Sequence, residues 1–132
     1  MHPKYNLWQQ LNSLFDQIGG APAVEAAVDV FYRKVLSDDR VSRFFDGVDM
    51  DRQRGKQKAF LTMAFGGPHN HTGKDMRNGH AHLLTMGLND SHVDAIIELL
   101  GRTLEELGVA DSLIQQVAAI AESTRNDVLG RS

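Results

Sequence analysis

At 132 residues the chain is long enough for one domain with a sizeable core. Its 14 basic and 17 acidic residues leave a net charge of −3, which excludes the basic footprint of a nucleic-acid binder. It has no cysteine, which excludes disulfides, thiolate zinc sites and iron–sulfur clusters and fits a reducing compartment. The opening MHPKYNLWQQLNSLF lacks a continuous apolar core, and no run approaches the roughly 18 apolar residues of a membrane span. A cytoplasmic protein with no membrane partner is expected.

In chain order, Leu7, Leu11, Leu14, Phe15 and Ile18 keep helical spacing, and Gly19-Gly20 stops that helix. Pro22 and Glu25 suit the first turn of a second helix with Val24, Val28, Phe31, Tyr32 and Val35 on its inner side. Ser37-Asp38-Asp39 breaks it, and a short amphipathic segment carries Val41, Phe44 and Phe45 as far as Gly47. A longer helix is expected from an Asp49 N-cap to Phe65, stopped by Gly66-Gly67-Pro68. The loop HNHTGK leads into a short helix bearing His80. After the capping run Asn89-Asp90-Ser91 comes a strongly amphipathic helix with Val93, Ile96, Ile97, Leu100, Leu104 and Leu107 on one stripe. A last helix follows Asp111, with Leu113, Ile114, Val117, Ile120 and Ala121 inward. No segment sustains period-2 alternation. The fold class is all-α, with about six or seven helices packed in pairs.

Three places put polar groups on inner faces. His80 shares a stripe with Met76, Leu83 and Leu84, whereas His82, about 200° round the helix, points away. An inward histidine is either a hydrogen-bonded core residue or a ligand. Gln53, Gln57, Phe60 and Ala64 share one stripe of the long helix, amide-lined at its start. Buried amides cost about 1–3 kcal/mol when unpartnered, so the pair is either exposed or facing a polar ligand. Tyr32 lies beside Phe31 on the second helix, and a buried hydroxyl usually finds a partner. One imidazole, one phenol and two amides in an apolar lining suit a small polar ligand bound to a metal.

The ordered segments SLFDQIGG, VDVFYRKVLSDDR, RFF, DMDRQR, QKAFLTMAFGG, MRNGH and LEELGV resemble the truncated haemoglobins, specifically their first group, from Ser13 to Leu129. The resemblance implies a truncated globin, one domain over residues 1–132 with 1–12 extending the first helix, folded as a two-over-two helical sandwich around haem b held non-covalently. His80 matches the proximal iron ligand of the family's MR…H motif, and Phe45 the phenylalanine packed on the porphyrin. Tyr32, Gln53 and Gln57 match the distal hydrogen-bonding positions. Lys74 and Arg77 lie where basic residues meet the haem propionates. Phe60, Leu61, Met76 and Leu84 are the implied apolar lining, and Phe60 and Leu61 are also candidates for walling a gas tunnel. O₂, NO and CO are the implied ligands of an expected monomer. Some relatives oxidise NO to nitrate, which would need a reductase that this sequence does not identify.

Two departures from the family pattern matter. Lys56 stands where some relatives carry an iron-binding histidine and a few a lysine. It is either a surface or propionate-reaching residue, or the sixth iron ligand. Freeing a lysine amine of its proton at pH 7 costs roughly 4–5 kcal/mol, so ligation is favoured at high pH. Some relatives also place a haem-linking histidine shortly before a DVL segment; Ser123, Thr124, Arg125 and Asn126 precede it here, and no covalent link by that route is expected. His2, His69, His71 and His92 are expected to be exposed, and His82 to face solvent. Two rival classes are a phosphotransfer domain, which would need an exposed His80, and a non-haem metal site built from His69, His71, His80 and His82.

Overall fold

The computed structural model describes residues 14–64 and 73–131, and the side chains of 16–62 and 77–131. Among the described residues seven α-helices follow one another: α1 (Leu14–Gln17), α2 (Gly20–Leu36), α3 (Met50–Ala64), α4 (Gly73–Leu84), α5 (Asp90–Glu106), α6 (Asp111–Ser123) and α7 (Arg125–Val128). A 3₁₀ turn, Ser42–Phe45, lies between α2 and α3. No described residue is in a strand, and the all-α expectation holds. No described helix is long and apolar enough to cross a membrane.

Helix α2 is central and packs against both α3 and α5; α5 packs on α6, and α4 on α7. The predicted stripe of α2 explains its place, because Val24, Val28, Phe31, Tyr32 and Val35 are all buried. Each such side chain withdrawn from water contributes on the order of 1.5–3 kcal/mol. The helix starts two residues before Pro22. Gly19, at φ 114°, makes the sharp entry from α1, and a Cβ there would sit 3.2 Å from that of Ala23.

Asp49 caps α3 as expected: its Oδ1 accepts from the backbone N–H of Asp51 and Arg52 at 3.1 and 3.3 Å. The start of α5 is held by a reciprocal cap. Asn89 Oδ1 accepts from Ser91 N–H at 2.9 Å, and His92 Nδ1 accepts from Asn89 N–H at 3.0 Å. His92 is therefore half-buried rather than exposed, and its ring stands edge-on to Phe44 with centroids 4.8 Å apart. At the other end of α5 the expected stripe overruns the helix. Glu106 is its last residue, and Leu107, just beyond, is 39% exposed.

A candidate haem pocket between two unlike walls

Tyr32 is 1% exposed and sits on α2 among Phe31, Phe45, Phe60 and Leu61 of the same apolar cluster. Its hydroxyl accepts a hydrogen bond from Gln53 Nε2 of α3 at 3.1 Å. The ring is edge-on to Phe31 at 5.1 Å and to Phe45 at 5.6 Å. Burial pushes the phenol up to about 12, against smaller lowering effects of the Gln53 hydrogen bond and the Arg54 charge. The group thus stays a neutral hydroxyl at any ordinary pH. Having accepted from Gln53, it retains its own proton to donate.

Gln57 is half-buried one turn further along α3, and Phe60 and Leu61 beyond it are buried. The sequence singled out Tyr32 and Gln53 on different helices; the fold brings their side chains into contact. Both amides are half-buried.

The charged side of α3 is partly tied to α2. Lys58 pairs with Glu25 at 2.6 Å, and Arg54 lies 3.7 Å from Asp29. Lys56 is exposed and has no ion pair among the described residues.

The implied iron ligand lies on α4. His80 is half-buried there, with Leu83 packed at the edge of the core. Leu84, expected inward, is 38% exposed. Among the described residues the main contact of α4 is with the short α7. Arg77 Nη2 donates to Asp127 Oδ1 at 3.0 Å and to the Arg131 carbonyl at 2.7 Å. The side chains of Lys74 and Met76 lie outside the described ones, and His2, His69 and His71 lie outside the described residues altogether.

Among the described residues no three His, Cys, Asp or Glu side chains converge to hold a bare metal ion. A single half-buried imidazole instead suits an iron that a porphyrin would hold, with the histidine as the one ligand from the protein. The half-buried Phe45, the half-exposed apolar face of α4 and the phenol–amide pair match a flat apolar group with a polar ligand on one face. The residues present fit a haem.

A family model for the bacterial-like globins matches residues 13–129. The chain is 47% identical over 119 residues to a group 1 truncated hemoglobin of Tetrahymena pyriformis, covering 90% of this chain and 96% of that protein. It is 48% identical over 124 residues to one from Synechocystis, covering 92% and 100%. In structure it is similar to the 2/2 hemoglobin of Synechococcus sp. PCC 7002, described in the cyanomet state with covalently attached heme. The TM-score is 0.85 at 49% identity, over 90% of this chain and 99% of that one. The chain belongs to the bacterial-like globin family, in its group 1 truncated haemoglobin branch, and is a haem-binding globin of the two-over-two fold.

Proposed function

We propose that the chain binds O₂, and also NO and CO, at the sixth position of a haem b iron whose proximal ligand is His80, with NO oxidation as its chemistry. The observation that carries this reading is the buried Tyr32 hydroxyl, which accepts from Gln53 and keeps one proton to give. Haem iron ligated by one imidazole leaves the opposite position to small ligands, and the distal residues govern what binds there. Were O₂ held there, a hydroxyl and an amide within reach would give it hydrogen bonds that strengthen with its partial charge. Tyr32 is the donor in this reading, Gln53 holds the hydroxyl and Gln57 is the second amide. Phe45, Phe60, Leu61, Met76 and Leu84 supply the apolar contact, and Lys74 and Arg77 meet the propionates.

The haem would supply the redox chemistry for oxidising NO with O₂ to nitrate, a turnover that would consume one electron from its ferrous form. One electron must then return from an external reductase. A cytoplasmic monomer over residues 1–132 suits that role, because reductant is supplied there. Without a histidine in the stretch from Ser123 to Asn126, the haem stays unlinked by the C-terminal route.

Lys56 supports a second reading of the sixth position. Unlike Arg54 and Lys58 it has no carboxylate partner among the described residues, so its amine is uncommitted. Deprotonated, it would compete with external ligands and favour redox turnover over ligand storage. Absorption spectra of the haem-loaded protein, ferric and dithionite-reduced, from neutral to alkaline pH, test both readings. A low-spin six-coordinate form that becomes high-spin in Lys56→Ala makes Lys56 the ligand. A five-coordinate ferrous form that takes O₂ at once assigns control to Tyr32 and the glutamines. No haem uptake overturns the proposal.

A further inference from the structure

We propose that residues 125–131 form a C-terminal clamp on the proximal helix, with Asp127 and Gly130 as positioning residues for His80. The inference rests on His80 as the haem ligand. It begins with the chain end itself. The N–H of Arg131 donates to the Asn126 carbonyl at 2.7 Å and that of Gly130 to the Asp127 carbonyl at 3.3 Å. This pair of bonds, with Gly130 at φ 67°, is a Schellman cap closing α7. It turns the Arg131 carbonyl back toward α4, where Arg77 Nη2 donates to it and to Asp127 Oδ1.

A second anchor lies at the other end of α4. A Cβ added at Gly130 would come within 3.1 Å of Leu84 Cδ1, so the glycine lets the turn lie against Leu84. Arg77 precedes His80 by three residues and Leu84 follows it by four. The two held positions therefore sit one helical turn on either side of the imidazole-bearing residue, on the adjoining strip of α4. Moving α7 moves α4.

The clamp has its own foundation. Arg131 reaches Asp90 Oδ1 and Oδ2 at 2.9 and 3.1 Å, and Arg125 reaches Asp90 Oδ1 at 3.0 Å. Asp90 is the first residue of α5, a helix packed in the core. The path runs from α5 through two arginines to α7, and from α7 through Arg77 and Leu84 to the helix of His80. The Arg77 and Asp127 side chains are 42% and 36% exposed, a setting in which an ion pair adds little to overall stability. Their effect is on where α4 sits. Groups hydrogen-bonded directly to a metal-ligating histidine typically matter by about 10–100-fold in metal affinity, and a clamp acting one turn away is expected at the low end of that range.

The test compares wild type with Asp127→Ala, Gly130→Val and the charge swap Arg77→Asp/Asp127→Arg, each measured with and without haem. Hydrogen exchange across 73–84 should rise about tenfold in the two single variants while exchange in α2 stays unchanged. Haem transfer to a scavenging globin should quicken about tenfold. The ferrous iron–imidazole stretching band should shift in the two singles and return toward wild type in the swap.

An unmoved band makes the C-terminal segment a plain structural strap and overturns the proposal. So does unchanged exchange in 73–84, or a rise spread evenly over all helices. Wild-type exchange and haem transfer in Asp127→Ala would equally overturn it. If wild type takes up no haem, the haem reading has failed separately. The clamp is then decided by exchange and by the His80 ring resonances of the haem-free protein.

Discussion

The two regions that would wall the proposed haem site are built on different physics. On the Tyr32 side, α2 and α3 meet through buried Val28, Phe31, Phe60 and Leu61, with the Gln53–Tyr32 hydrogen bond beside them and the Lys58–Glu25 and Arg54–Asp29 ion pairs on the exposed side. On the His80 side, α4 is held by an exposed guanidinium, a carboxylate, a backbone carbonyl and a glycine turn. Close packing in the first case fixes a donor with few alternatives. Ion pairs in the second are weaker, responsive to salt, and free to shift without disturbing the core. A ligand-discriminating group needs the first kind of support. A helix that must accept a large flat cofactor is served by the second.

The largest way to break this comparison is His80→Gly. If the proximal wall contributes one indispensable bond, haem should be lost or held without its axial imidazole, and free imidazole should restore the wild-type spectrum. The core of α2, α3, α5 and α6 should keep its helicity in the haem-free variant, because His80 is only half-buried. Collapse of the whole fold would mean that the walls are not independent.

Tyr32→Phe comes next. A hydrogen bond to a ligand bearing partial charge is worth roughly 1.5–3 kcal/mol, so O₂ dissociation should speed up by about 10–150-fold with CO affected much less. The same variant should cost only about 1 kcal/mol of stability, since the ring contacts with Phe31 and Phe45 remain. The hydroxyl also gives a pH signature. Its value near 12 in the fold against the ordinary 10 means that the unfolded chain releases this proton first. Between pH 10 and 12 stability should therefore fall as pH rises, by about 2–3 kcal/mol in all, and Tyr32→Phe should lack that fall. Urea melts across that window decide it.

Periodicity was enough to read most of the frame. The α2 residues assigned to the core are buried, Asp49 and Asn89 cap the helices expected of them, and Tyr32, Gln53 and His80 all stand out as polar groups on apolar stripes. What escaped that reading depends on contacts between distant parts of the chain. Arg77 and Asp127 are 50 residues apart, and no spacing rule pairs them. Leu84 follows the inward stripe yet is 38% exposed, which a local pattern could not foresee. His92 could have been recognised. A histidine three residues after a capping asparagine is placed to return the cap's hydrogen bond, as glutamate or glutamine does in the usual box.

His92 also provides the smallest and sharpest test of the contrast between the walls. Its Nδ1 accepts from Asn89 N–H, which a neutral ring does and a doubly protonated ring does not. Burial, and secondarily the charge of Arg43, hold its pKa below the ordinary 6.5. The unfolded chain then takes up this proton at a higher pH than the fold, so stability is present above about 6.5 and declines as pH falls below it. Asp90, beside it, is held below its ordinary 3.8 by Arg131 and then Arg125, and titrates well under that window. Between about pH 7.5 and 5.5 the wild type should thus lose stability, while His92→Gln should lose much less. Because the α5 start is also the footing of Arg125 and Arg131, hydrogen exchange in 73–84 should rise with that acid loss. Exchange in α2 should not. Equal changes in both would erase the distinction between a packed wall and a clamped one.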